Sequence, residues 1–166
     1  SKIKDFAVVA NLPYAISSSW LEALLNTKRI PIRMVLMLQK EAISRINANH
    51  GTKEYNALSI FLKSVFKNKQ NHPVPRQCFF PVPGIDSVLA QMDRLEEPFL
   101  YDQKIRSLIR KIFTLRRKQI GSIIKREKPE NREVLEKWIS IEKIPHNLRP
   151  EQISPDKWIA LAQTIV

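Results

Sequence analysis

The residues best suited to chemistry in this sequence are four that directly follow a predicted strand, Asn11-Leu12-Pro13-Tyr14. In open α/β sheets, ligands bind beyond the carboxyl ends of the strands. An amide, a turn stiffened by proline and an aromatic ring at that place suit the binding of a flipped purine and its exocyclic amine. A simple turn after a strand, without a ligand, is the competing interpretation of so short a motif.

Methyl transfer to the exocyclic amine of adenine requires hydrogen-bond acceptors, because the amine's lone pair is delocalised into the ring. We expect the side-chain oxygen of Asn11 and the backbone carbonyl of Leu12 to accept from the amine and to stabilise the charge that develops in the transition state. Tyr14 would stack on one face of the base and Phe79 on the other, each contact worth about 1–3 kcal/mol. For Phe79 and Phe80, a place in the hydrophobic core is the alternative.

An α/β layer is predicted to position these residues. Residues 6–10 form a short apolar run typical of a strand buried on both faces, and residues 33–38 predict a second such strand. A short strand is expected between the breaker cluster at 71–75 and Cys78, and a last one at 87–95. The helices predicted between these strands cover residues 20–25, 41–48 and 56–66.

The second part of the chain has only helical patterns. Glu96-Glu97-Pro98 indicates a boundary, and we predict an α/β domain over 1–96 and a small all-α domain over 97–166. Ser154-Pro155 provides an N-cap followed by proline at the first helical position. The predicted helices cover residues 102–126, 132–141 and 156–165, and the three tryptophans are expected in the core.

The composition excludes several classes of protein. The chain has 166 residues, of which 43% are hydrophobic, too many for a disordered chain. The single cysteine, Cys78, makes an internal disulfide impossible and favours a reducing compartment, the cytoplasm; we expect it to be buried and unreactive. The three glycines are far apart, so no glycine-rich nucleotide loop is present. Neither a membrane span nor a metal site is predicted.

The charge points to a nucleic-acid partner. The net charge is +12, and the densest positive run lies within residues 102–128. A solvated helix face without a ligand is the alternative. If the run binds RNA, affinity must fall steeply with salt. The predicted RNA-binding residues are Arg106, Arg110, Lys111, Arg116, Arg117, Lys118, Lys125 and Arg126.

Six ordered sequence blocks resemble the ribosomal RNA adenine N6,N6-dimethyltransferases, the family of the bacterial KsgA proteins. The resemblance covers essentially the whole chain, with two departures: Asn56 stands where the family usually has glycine, and Gly84 where it often has lysine. The blocks are Asn11-Leu12-Pro13-Tyr14, Met37-Leu38-Gln39-Lys40-Glu41 followed by Arg45, Tyr55-Asn56-Ala57-Leu58-Ser59, Phe79-x-Pro81-x-Pro83-x-Ile85-x-Ser87, Phe113-x-x-Arg116-Arg117-Lys118 and Arg149-Pro150-Glu151-Gln152-Ile153-Ser154.

The resemblance implies a Rossmann-like class I methyltransferase sheet, of which about four strands with their helices would lie here, and a helical rRNA-binding domain. It implies S-adenosylmethionine-dependent dimethylation of two adjacent adenines in 16S rRNA of the 30S subunit during ribosome biogenesis. The Asn11-to-Tyr14 motif would be catalytic, and Asn11 would also contact the donor.

The family's amino-terminal half, with its glycine-rich donor loop and the acidic residues that hold the donor's ribose, has no counterpart in this sequence. We therefore expect this chain alone to be inactive and not to bind S-adenosylmethionine measurably. Its first strand would present an apolar edge on which two copies could associate.

Three other functions compete with this interpretation. A non-catalytic ribosome-assembly factor and a mitochondrial transcription-factor relative would keep the fold without the chemistry, and the intact Asn11-to-Tyr14 motif argues against both. The antibiotic-resistance methyltransferases of large-subunit RNA typically have isoleucine at the position of Leu12 and lack the block at 38–41. Those two features favour the small-subunit enzymes.

Overall fold

The computed structural model describes residues 5–164, which form two compact units. One contains residues up to Asn47 together with Leu62–Leu100, and the other contains Ala48–Phe61 together with the chain from Tyr101 onward. This division differs from the sequence-based one at 96/97, chiefly because residues 48–61 group with the helical unit. Tyr55, for example, packs edge-on against Phe113 with ring centroids 5.9 Å apart.

The first unit is built on a four-stranded sheet of β1 (Ala7–Asn11), β2 (Arg33–Gln39), β3 (Phe66–Val74) and β4 (Ser87–Arg94), in the order β1-β2-β4-β3. β1 and β2 are parallel, whereas β4 is antiparallel to both β2 and β3. The predicted order strand-helix-strand-helix-helix-strand-strand is confirmed, although the third strand lies earlier in the chain than predicted. The helices of this part of the chain are α1 (Ser17–Asn26), α2 (Lys40–Asn47) and α3 (Ala57–Lys63), of which α3 belongs to the second unit as far as Phe61.

One face of this sheet carries the core of the unit. Burial alternates along β2, where Met34, Leu36 and Leu38 are fully buried and the residues between them are not. Ala90 and Met92 of β4 face the same side, because they pair with Leu36 and Met34. Side chains at alternate positions of a strand lie on one face, so this single apolar row fixes the register of the two central strands.

The expectation that β1 is buried on both faces is wrong. Val9 is 80% exposed, and burial along the strand alternates between exposed and half-buried positions. The reason is that β1 lies at an edge of the sheet and, within the described residues, pairs with β2 alone. A short apolar run is therefore compatible with an edge strand as well as with a central one.

The short strand predicted just before Cys78 is also wrong. The chain is already extended in β3, from Phe66 to Val74, and Arg76–Cys78 forms a 3-10 turn in which Cys78 is exposed rather than buried. β3 is the other edge of the sheet, where a proline such as Pro73 is tolerated. The ladder to β4 also shifts register between Asn68 and Gln70.

The second unit is helical. Asp102 caps its first long helix by accepting a hydrogen bond from the Ile105 N–H at 2.9 Å. Trp138 and Trp158, both fully buried, pack together with ring centroids 5.0 Å apart. The helices are α4 (Gln103–Thr114), α5 (Ile120–Ile124), α6 (Pro129–Ile141) and α7 (Pro155–Thr164); Ile165, the last residue of the predicted final helix, lies outside the described residues.

The predicted continuous helix over 102–126 is wrong, because the chain turns between α4 and α5. The N–H of Lys118 donates to the carbonyl of Leu115 at 2.7 Å, which closes a tight turn. α5 then begins where the N–H groups of Ile120 and Gly121 donate to the carbonyls of Leu148 and His146 at 2.7 and 3.0 Å. The break is thus set by contacts with a distant segment.

Between residues 5 and 164, no helix is both long and apolar enough to cross a membrane.

Candidate active site

The Asn11-to-Tyr14 motif lies at the carboxyl end of β1, where the strand ends in a 3-10 turn over Tyr14–Ile16. Leu12 is buried and anchors the segment, which leaves Asn11 and Pro13 exposed on either side of it. The Ile16 N–H donates to the carbonyl of Pro13 at 3.1 Å and closes the turn. A buried residue between two exposed ones therefore holds the amide of Asn11 outside the core.

The structure brings together all five residues that the sequence analysis predicted to surround a flipped base. Asn11, Leu12, Pro13, Tyr14 and Phe79 line one open cleft of about 250 Å³. Sites for drug-sized ligands usually measure about 300–1,000 Å³, so this cleft suits a single flat ring better than a larger molecule. Tyr14 and Phe79 supply aromatic surface, and Asn11 supplies the polar group.

Ser87 forms a hydrogen bond to Tyr14 that was not predicted from the sequence. The Tyr14 Oη and Ser87 Oγ atoms lie 2.6 Å apart, and Ser87 is only 1% exposed. Ser87 starts β4 and pairs with Gln39 at the end of β2, so a rigid part of the sheet fixes the Tyr14 ring. The available signal was its place at the end of the block that begins with Phe79.

Removal of the Tyr14–Ser87 hydrogen bond should destabilise the first unit slightly. We expect Ser87→Ala and Tyr14→Phe each to lower the free energy of unfolding by about 0.5–1.5 kcal/mol. Because both changes remove the same bond, the double variant should lose little more than either single one. Urea unfolding followed by circular dichroism measures this cycle. Fully additive losses would show that the two hydroxyl groups act separately.

Phe79 and Phe80 do not lie in the core, so that alternative is wrong for both. Phe79 is half-buried and lines the cleft, whereas Phe80 is fully exposed. The segment that carries them is held at its base, where the N–H of Arg76 donates to Oδ1 of Asp86 at 3.0 Å. The carbonyl of Asp86 accepts in turn from the N–H of Lys40 at 3.2 Å.

One of the predicted RNA-binding residues is buried, and two others have partners within the helical unit. Arg106 is 6% exposed, on the same side of α4 as Ile109, and this burial removes it from any surface footprint. Lys111 donates to the buried carboxylate of Glu127 at 2.7 Å, and Arg110 lies over the ring of Phe61 at 5.5 Å. These three cations therefore contribute to the packing of the helical unit.

Arg116 also has a structural partner, since its Nη1 donates to the carbonyl of Lys53 at 2.6 Å. The remaining predicted residues are exposed and, within residues 5–164, form no ion pair. We call them the cationic turn, because they flank the turn between α4 and α5 and the end of α5; they are Arg117, Lys118, Lys125 and Arg126. In the described part of the chain, no three His, Cys, Asp or Glu side chains cluster as metal ligands do.

Comparison with known proteins gives consistent results. A protein from Opitutus terrae named ribosomal RNA small subunit methyltransferase A is 41% identical over 156 residues, which are 94% of this chain and 56% of that protein. The protein of the same name from Malacoplasma penetrans is 31% identical over 162 residues, with 97% of this chain and 58% of its own length covered. The chain thus spans less than three fifths of these two relatives.

Two solved structures share the fold. A dimethyladenosine transferase from Plasmodium falciparum superposes with a TM-score of 0.77 at 27% identity, covering 97% of this chain and 67% of that one. The 23S rRNA methyltransferase ErmE superposes with a TM-score of 0.63 at 20% identity, covering 97% and 65%, and shows the fold alone. The family model described as ribosomal RNA adenine dimethylase matches residues 1–165. With almost the entire chain matched, this protein belongs to the ribosomal RNA adenine dimethylase family.

Proposed function

We propose that the whole protein uses S-adenosylmethionine to dimethylate N6 of two adjacent adenines in the 16S rRNA of the 30S subunit, in the cytoplasm during ribosome biogenesis. The observation that carries the proposal is the cleft lined by Asn11, Leu12, Pro13, Tyr14 and Phe79 at the end of β1. The relatives named above support the choice of small-subunit rRNA through their own names.

Within this proposal, the chain's own residues hold and polarise the base. The Tyr14 and Phe79 rings stack on its two faces and compensate the unstacking that flipping requires. The side-chain oxygen of Asn11 and the carbonyl of Leu12 accept from the amine and localise its lone pair. These acceptors matter most as charge develops on the nitrogen, so they should raise kcat more than they tighten binding.

S-adenosylmethionine would supply the methyl group, but the residues described here do not complete a site for it. The five residues of the cleft include no carboxylate, and the chain's three glycines, Gly51, Gly84 and Gly121, do not cluster. Asn11 is the one residue of this chain that we assign to donor contact. We therefore propose that this chain alone is inactive.

Calorimetry of this chain with S-adenosylmethionine should detect no binding at micromolar concentrations. The physical reason is that a charged donor needs hydrogen bonds and counter-charges that the five-residue cleft does not offer. A full-length relative titrated in the same buffer is the positive control. A micromolar Kd for this chain would contradict the proposal that the donor site is incomplete.

RNA binding by the helical unit is assigned to the cationic turn. Each phosphate that a variant no longer neutralises should reduce the slope of log K against log salt by about 0.7–0.9. Arg117→Ala combined with Lys118→Ala should therefore flatten the slope, measured by fluorescence anisotropy of an rRNA hairpin. Arg29→Ala combined with Lys137→Ala removes the same charge from two other exposed positions and serves as the control. Equal slopes for both variants would rule out specific phosphate binding at the turn.

The free edge of β1 supports a further part of the proposal, self-association of this chain. Val9 is 80% exposed, and the described residues offer β1 no second neighbour. Unpaired N–H and C=O groups beside apolar side chains favour pairing with another strand.

The direct test of the proposed function is methylation of 30S subunits in which the two adjacent adenines are present but unmethylated. The full-length protein with S-adenosylmethionine should produce N6,N6-dimethyladenine, detected by mass spectrometry of the digested 16S rRNA. Binding without methylation would instead favour a non-catalytic assembly factor.

A further inference from the structure

The segment between β3 and β4 carries an exposed aromatic side chain that neither folding nor the cleft explains. Phe80 is fully exposed, more than any other large apolar side chain among residues 5–164, and Val82 of the same segment is 57% exposed. A phenylalanine left in water contributes no burial to folding, and exposed apolar groups near a functional cleft mark binding surfaces.

Phe80 is held close to the cleft but outside it. Phe79 has an extended backbone, with φ −117° and ψ 150°, so the side chains of Phe79 and Phe80 point to opposite sides of the chain. Phe79 lines the cleft, and Phe80 therefore faces away from it. Because Oδ1 of Asp86 accepts from the Arg76 N–H, the start of the segment is fixed to its end, which keeps Phe80 close to the cleft.

The chain that leads to Phe80 is basic and contains no acidic residue from position 66 to position 85. Lys67 and Lys69 are exposed on the edge strand β3, and Arg76 is exposed in the turn that follows. Asp93, across the ladder from Lys67, forms an ion pair with Arg33 at 2.7 Å and also lies within electrostatic reach of Lys69. An aromatic ring preceded by a row of cations matches a single-stranded nucleic acid, whose bases stack and whose phosphates need counter-charge.

We propose that Phe80 stacks on the nucleotide adjacent to the adenine in the cleft, and that Lys69 and Arg76 bind phosphates of the same single strand. The inference rests on the proposed function, because it takes the occupant of the cleft to be an adenine of rRNA. It adds a second nucleotide subsite on the opposite side of Phe79. A protein partner would use the apolar side chains of the segment but would not require the basic strand.

The test uses the full-length protein and an RNA hairpin whose loop carries two adjacent adenines. Either adenine is replaced in turn by 2-aminopurine, whose fluorescence falls on stacking. Phe80→Ala should weaken RNA binding by about 5- to 100-fold and abolish the quenching at the neighbouring position only. Phe80→Trp should keep both the RNA affinity and the quenching of the original protein. Phe80→Leu, which keeps an apolar side chain but no ring, should lose both.

Val82→Ala removes an exposed apolar side chain from the same segment and is the matched control, expected to bind RNA normally. Lys69→Ala with Arg76→Ala should reduce the salt slope by about 0.7 for each phosphate, as for single strands. Unchanged affinity and unchanged quenching in Phe80→Ala would overturn the proposal. An equal loss of RNA affinity in Val82→Ala and Phe80→Leu would also overturn it, since that pattern indicates apolar contact without base stacking.

The two hypotheses fail in different ways. If Asn11→Ala lowers kcat for methylation by about 10²-fold or more while Phe80→Ala leaves RNA affinity and quenching unchanged, the second subsite is wrong and the proposed function stands. If Asn11→Ala methylates normally, the function assigned to the cleft is wrong whatever Phe80 does.

Discussion

Replacement of Asn11 by alanine in the full-length protein is expected to lower kcat for adenine methylation by about 10²–10³-fold, the usual cost of removing one preorganised transition-state hydrogen bond. Tyr14 and Phe79 remain in place to stack on the base, so the KM for RNA should change little. Stability should also stay unchanged, because Asn11 is exposed at the end of β1.

The measurement is steady-state methylation of 30S subunits, with urea unfolding of the same samples. Asn147→Ala, at an exposed asparagine of the helical unit, is the matched control and should behave like the original protein. A raised KM with unchanged kcat would show that Asn11 only binds the base. Unchanged kcat and KM would remove Asn11 from the reaction altogether.

The largest expected effect on stability is at Trp158. This residue is fully buried between Trp138, at a centroid distance of 5.0 Å, and Phe113, at 5.6 Å. Its Nε1 also donates to the carbonyl of Ile153 at 3.3 Å. Trp158→Ala should therefore cost about 3–5 kcal/mol, because it leaves a cavity and removes the aromatic packing around it.

Circular dichroism in urea measures this destabilisation, and the helical unit should unfold at lower denaturant than the sheet unit. Trp20→Ala is the control, because Trp20 on α1 is only half-buried, contrary to the expectation that all three tryptophans lie in the core. Equal destabilisation by the two variants would contradict the assignment of Trp158 to the centre of the helical unit.

The parts of the structure that the sequence predicted are those that local patterns determine. β2 and β4 alternate or run apolar over lengths typical of strands, and α7 begins at Pro155, as the pair Ser154-Pro155 predicted. The cleft could be predicted for the same reason, because Asn11 and Tyr14 lie in a motif that directly follows a predicted strand. Phe79 was predicted from its aromatic side chain, as the ring for the second face of the base.

The parts that the sequence did not predict depend on contacts between distant residues. Pro73 signals a break unless its strand is known to be an edge, and edge position follows from the order of all four strands. α5 starts at Ile120 because of the carbonyl of Leu148, which no local pattern reveals. Arg106 and Arg117 carry the same charge in the same predicted basic segment, and only the fold shows that Arg106 is buried and Arg117 is exposed.

The most direct test of the account is a cryo-electron microscopy structure of the full-length protein on an unmethylated 30S subunit. We predict an extruded adenine between the rings of Tyr14 and Phe79, with its N6 within hydrogen-bond distance of the Asn11 side chain. An extruded base held elsewhere, with the cleft at the end of β1 left without a nucleotide, would contradict the account.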